Sequence, residues 1–236
     1  MKKLWILKQI WFPALVALAL LAAALTGLIY RRTYTDVTAE EDYPNRVLVA
    51  EMPGALCENA CALGREFLPT APVILRVRVV GEIEDYYGVS QQKVRVREIF
   101  AGTGLSVGDE IYLTCEGKGW SVLARGRERP IPLERMFVNF LRVGEDYLVF
   151  LKDDPVEVFA DVPVYFLFLH QTRVCVAPVF CYQDTENVVV PTAGDSTYVP
   201  YYLVRDNEFF VDTEEGLAAW RALKADLLAR YPAGDS

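Results

Sequence analysis

Between residues 72 and 152 the chain contains four runs, VILRVRVVGEIE, QQKVRVREIF, DEIYLTCE and RVGEDYLVFLK, in which apolar and polar residues alternate between glycine or charged turns. A period of two is the signature of a strand with one buried face. Four such runs in succession predict an antiparallel sheet that curls into a small barrel. In the first run Val73, Leu75, Val77 and Val79 point one way, and Arg76, Arg78, Val80 and Glu82 the other. In the second, Val94 and Val96 face inward while Lys93, Arg95 and Arg97 face outward. Matching the inward faces across a hairpin opposes Val79 to Val96, Arg78 to Arg97 and Glu82 to Lys93.

That register gathers Arg76, Arg78, Arg95 and Arg97 on the outer face of the first two strands, where small barrels of the OB type bind extended polymers. The long glycine- and proline-punctuated connection GKGWSVLARGRERPIPLERM adds Lys118, Arg125, Arg127 and Arg129, and irregular connections of this length often serve a contact. These eight side chains form the candidate binding surface. No aromatic residue stands between the strand arginines, so nucleic acid is a poor ligand. Anionic lipid head groups and acidic wall polymers suit the surface better, as does a protein of a membrane complex.

Residues 10–30 carry no charge and, at ~1.5 Å per helical residue, would extend ~30 Å, the depth of a bilayer core. A cleaved signal peptide ending at Ala22-Ala23-Ala24 competes with an uncleaved anchor. The anchor is favoured because the apolar run continues through Leu25, Leu28, Ile29 and Tyr30 to stop at Arg31-Arg32. Lys2, Lys3 and Lys8 before the run outweigh Arg31 and Arg32 after it, which places the N-terminus in the cytoplasm and the bulk outside. Beyond residue 32 the remaining 19 basic groups face 32 acidic ones, an acidic balance that argues against general nucleic-acid binding. The expected order is a cytoplasmic tip and anchor over 1–32, an acidic linker over 33–46, and one composite β domain over 47–236.

Two helices are expected to flank the barrel. Pro53 and Gly54 open one, with Leu56, Cys57, Ala60, Cys61, Gly64, Phe67 and Leu68 on a single face. Asp212 as N-cap with Glu215 three residues on opens the other, whose apolar stripe is Leu217, Trp220, Leu223, Leu227 and Tyr231. The later segments VPVYFLFLH, RVCVAPVFCY, NVVVP, TYVPYYLV and NEFFVD read as further strands.

No catalytic or cofactor motif of useful specificity is present. The five cysteines, Cys57, Cys61, Cys115, Cys175 and Cys181, have CxxxC and CxxxxxC spacings, and His170 is the sole histidine. Neither spacing is that of a zinc site. Cys57 and Cys61 sit one helical turn apart, a redox pair in principle, though an inward-facing pair is more often packing.

The strand ends VRVVGEIE, VRVREIFAGTG, VGDEIYL and VGEDYLVFL together resemble the extracytoplasmic OB-type domains of secreted and membrane-anchored proteins of Gram-positive bacteria, broadly similar in pattern to netrin-like and metalloproteinase-inhibitor barrels. The resemblance covers residues 72–152 and implies a fold more than an activity. The inhibitors act through a free N-terminal cysteine, whereas the first cysteine here is Cys57, so that chemistry is not carried over. The expectation is a mainly β, OB-like antiparallel barrel behind a transmembrane helix, serving as a non-catalytic binding or assembly module without cofactor. The alternatives are a subunit of a membrane complex and, behind it, a redox or hydrolytic enzyme.

Overall fold

The computed structural model describes residues 2–33, 47–86, 89–114, 131–133, 137–155, 162–170, 173–190 and 198–234. The chain divides into two compact units, Met1–Tyr43 and Pro44–Ser236.

The first unit contains one helix, α1 (Lys2–Thr33). Its described side chains, among them Trp11, Leu18, Leu20 and Leu21, stand exposed. The expected transmembrane span is overturned here: among the described residues no helix is long and apolar enough to cross a membrane.

The second unit opens with strand β1 (Val47–Ala50) and helix α2 (Gly54–Phe67). The long strands β2 (Val73–Tyr86) and β3 (Val89–Ala101) follow, then β4 (Glu110–Thr114), β5 (Ile131–Leu133) and β6 (Asp146–Leu151). After these come β7 (Val164–Phe166), β8 (Val179–Cys181), β9 (Tyr198–Pro200), the single turn α3 (Tyr201–Val204) and the closing helix α4 (Glu214–Arg230).

Two mixed sheets result, ordered β7-β4-β3-β2-β6-β8 and β5-β1-β9. The pairs β4·β7 and β1·β5 are parallel and the others antiparallel. This corrects the mainly β, closed-barrel expectation. The large sheet curls until Leu167 meets Leu151 in one isolated bridge, but among the described residues no strand ladder closes it and helix exceeds strand. The physical reason lies in β2 and β6. Val73, Leu75, Val77 and Val79 join Tyr147, Val149 and Leu151 in one apolar cluster. On the opposite face Ile74, Leu148 and Phe150 are buried against Cys57, Ala60 and Cys61 of α2 and Leu217, Trp220 and Leu223 of α4. A sheet covered on both faces is a layered α/β arrangement, and β6, buried at all six positions, has the continuous apolar character of such a strand.

Near the turn the β2–β3 register is the expected one, with Ile83 opposite Gln92, but over residues 77–79 it is displaced by two: Val79 pairs with Val94, Arg78 with Arg95 and Val77 with Val96. Irregularities flank that stretch. Arg76 lies opposite Glu98, leaving Arg97 as the extra residue of a bulge, and residues 80–82 of β2 oppose Lys93 alone. A two-residue shift keeps every side chain on its expected face, so the alternation is preserved while the partners change.

Trp220 lies parallel to Phe209 with centroids 5.0 Å apart and also stacks on Phe180, fixing α4 over the sheet. Trp220→Ala is expected to lower unfolding free energy by about 3–5 kcal/mol in denaturant titrations, whereas Leu56→Ala, at an exposed position of α2, is expected to cost under about 0.5 kcal/mol.

Candidate functional site

The arginine face is the first place to look, and its charges are already engaged. Asp146, at the start of β6 with a side chain only 3% exposed, accepts from Arg76 Nη2 at 2.6 Å and from Arg78 Nε at 2.7 Å. Arg76 is itself 11% exposed, donates to the Gly234 carbonyl and lies over the Tyr182 ring. Arg95 and Lys93 share Glu110, at 2.7 and 3.1 Å. Those hydrogen bonds, Arg95's first, hold the Glu110 carboxyl below the ordinary carboxylate range. Arg97, half-buried on the bulge, has no ion-pair partner among the described residues. Arg78 lies opposite Arg95 while Arg97 is displaced onto the bulge and Glu98 lies opposite Arg76; the sequence could not show Asp146, some seventy positions away, between Arg76 and Arg78. Lys118, Arg125, Arg127 and Arg129 lie outside the described residues, as does Cys115.

The cysteine pair is the second place. Cys57 and Cys61 have sulfurs 3.8 Å apart, and both are buried. The Cys57 thiol donates to the Gly216 carbonyl at 3.2 Å. The hydrogen bond with Cys57 and burial both drive the Cys61 pKa upward. Cys175 and Cys181 are also free thiols, with burial pushing Cys181 up to about 11. The hydrogen bond between Cys57 and Cys61 holds the Cys57 thiol below its ordinary range, so what sets the pair aside as a nucleophile is its burial. Among the described residues no group of three or more His, Cys, Asp or Glu is placed to hold a metal ion.

The junction of the two helices was not foreseen. Helix α2 starts after Pro53, whose side chain caps nothing, and the Gly54 amide donates across the fold to Asp212 Oδ1 at 2.6 Å. With Asp212 so engaged, the N-cap of α4 is Thr213, which accepts from Gly216 N at 3.1 Å. The expected Asp212–Glu215 box is therefore replaced by a cap one residue later. The helix starts nearly touch: a Cβ on Gly54 would lie 2.0 Å from Thr213 Oγ1, and one on Gly216 would lie 3.2 Å from Gly54 Cα. Beside them Glu51 is 1% exposed, and neither carboxylate oxygen has a hydrogen-bond partner among the described residues. Burial, and then the charge of Asp212, raise it to about 7. The visible signal for such a group was an acidic residue inside the apolar run VLVAEM.

Side-chain amides organise the irregular second half. Asn207 exchanges hydrogen bonds with both backbone groups of Val188, and Asn187 Oδ1 accepts from the amides of Glu208 and Phe209. Glu208, buried in this network, receives Lys224 Nζ at 2.6 Å and the Cys181 amide at 2.7 Å. Every polar atom named in this network is partnered, and it presents no open face.

A groove of about 490 Å³ runs along the outer flank of α2, between Leu56, Asn59, Leu63 and Glu66 on one side and Arg173 and Val174 on the other. Leu56 and Val174 are exposed large apolar side chains. Spacings of three and four residues place the α2 members on one helix face. Among the described residues, neither Glu66 nor Arg173 belongs to an ion pair, in contrast to the engaged arginines of β2.

Two outcomes follow from the helix junction. Gly54→Ala is expected to destabilise the fold by more than about 1 kcal/mol although alanine ordinarily favours helix, because its methyl would displace Thr213; chemical denaturation measures it. Cys57 and Cys61 are expected to react with a thiol reagent at pH 8 only in denaturant, and rapid labelling of the native chain would contradict their burial.

No family model matches this chain, and no curated protein matches it.

Proposed function

We propose that this chain is a non-catalytic binding or assembly module whose contact surface is the groove along α2. The observation that carries the reading is the contrast between spent and unspent groups. Arg76, Arg78 and Arg95 are neutralised by carboxylates of the same sheet, and Cys57 and Cys61 are buried. The groove instead offers exposed Leu56 and Val174 beside Glu66 and Arg173, which belong to no ion pair among the described residues. An apolar floor with a charge on each wall suits a short amphipathic protein segment, whose apolar side chains supply affinity and whose ends set direction.

A photoreactive residue at Leu56 or Val174, in the full chain within its own cells, is expected to yield a discrete protein adduct that Leu63→Glu abolishes. The same residue at Arg95 is expected to yield none. An adduct indifferent to Leu63→Glu, or no adduct at all, overturns the groove as the contact surface.

A second reading keeps an anionic polymer on the half-exposed Arg78 and Arg95 with Arg97, and is favoured by Arg97 having no described ion partner. Arg78→Glu combined with Arg97→Glu then removes salt-sensitive binding to such a polymer. Unchanged binding eliminates the arginine face.

A further inference from the structure

Strand β1 is followed by a buried acid that no described residue satisfies. Strand β1 pairs with β5 and β9, Glu51 follows it, and Met52 continues the pairing by donating to the Phe210 carbonyl at 2.9 Å. Glu51 is 1% exposed. Both its oxygens lack a hydrogen-bond partner among the described residues. A carboxylic acid in this position tolerates its surroundings when neutral; an unpaired carboxylate does not, because burial removes its hydration without substituting donors.

Among the described residues, the neighbouring elements supply no cation to relieve it. Strand β5 (Ile131–Leu133) carries no ionisable group, and β9 carries Tyr198. Helix α2 carries Cys57 and an exposed Glu58 near its start. The segment joining Met52 carries Asp212, whose negative charge acts in the same direction as burial. We propose that Glu51 is a proton-operated latch: protonated, it lets β1 and Met52 stay docked on the 209–212 segment; ionised, it releases them while the large sheet remains intact.

The sign follows from linkage. An acid raised in the closed state to about 7 from an ordinary 4.5 leaves closure at full strength below about pH 4.5. Closure then weakens as pH rises to about 7 and levels off above it. Across that window the opening equilibrium of the latch rises roughly tenfold per pH unit.

The test is amide hydrogen exchange on the full chain between pH 5 and 8, with intrinsic base catalysis divided out. Protection at residues 47–52 is expected to fall steeply up to about pH 7 while the β2–β6 ladder, read at Val77, holds. Glu51→Gln is expected to flatten the profile at 47–52 and keep these residues protected at pH 8. A pH-independent profile in the wild-type chain overturns the proposal without recourse to any variant. So does an equal loss at Val77, or a Gln variant whose profile follows the wild type.

Discussion

The architecture depends on strand β2 being buried on both faces at once. Its odd-numbered residues, Val73 to Val79, fill one apolar cluster, while Ile74 reaches through to the other, beneath the two helices. Neighbouring β6 divides in the same way, with Tyr147, Val149 and Leu151 on one side and Leu148 and Phe150 on the other. Further along β2 the second face turns polar, and there the helices give way to the ion pairs of Arg76 and Arg78 with Asp146. A curled sheet with a single interior has no use for Phe150; a sheet between two apolar layers needs it.

The local content of this arrangement was legible in the sequence. Alternation in 73–79 placed the inward valines, the turn chemistry at Pro53-Gly54 opened α2, and the stripe Leu217-Trp220-Leu223-Leu227 identified the buried face of α4. Leu56 was read with the inward face of α2 but lies at its exposed edge, because a helical stripe has flanks as well as a centre. What sequence could not supply was pairing at a distance. The irregularity over 80–82 shifted the partners of residues 77–79 by two and the bulge at Arg97 took one residue of that shift back, and bulges leave little trace in an alternating pattern. The arginines announced their face but not their carboxylates. The single acidic residue in VLVAEM was visible, yet only the fold around it reveals a buried acid without a partner.

Asp146 and Asp212 illustrate one rule in two settings. Each is an acidic residue at the edge of an apolar element, and each is held by donors far away in sequence: guanidinium groups for Asp146, a helix's first amide for Asp212. A buried charge is stable when its hydrogen bonds are replaced, and both aspartates meet that condition. Glu51, close to Asp212, does not: among the described residues neither of its oxygens has a hydrogen-bond partner.

The capping of α2 by Asp212 also has a consequence for synthesis. The Gly54 amide waits for an oxygen 158 positions downstream, and the buried face of α2 waits for Leu217, Trp220 and Leu223. At roughly 5–20 residues per second, translation leaves α2 and the helix-facing side of β2 uncovered for on the order of ten seconds or more. The nascent chain thus emerges with half of its core built and the other half open to water. Any factor that shields apolar surface on the ribosome has its longest work here over the helix face of the sheet, until α4 arrives to cover it.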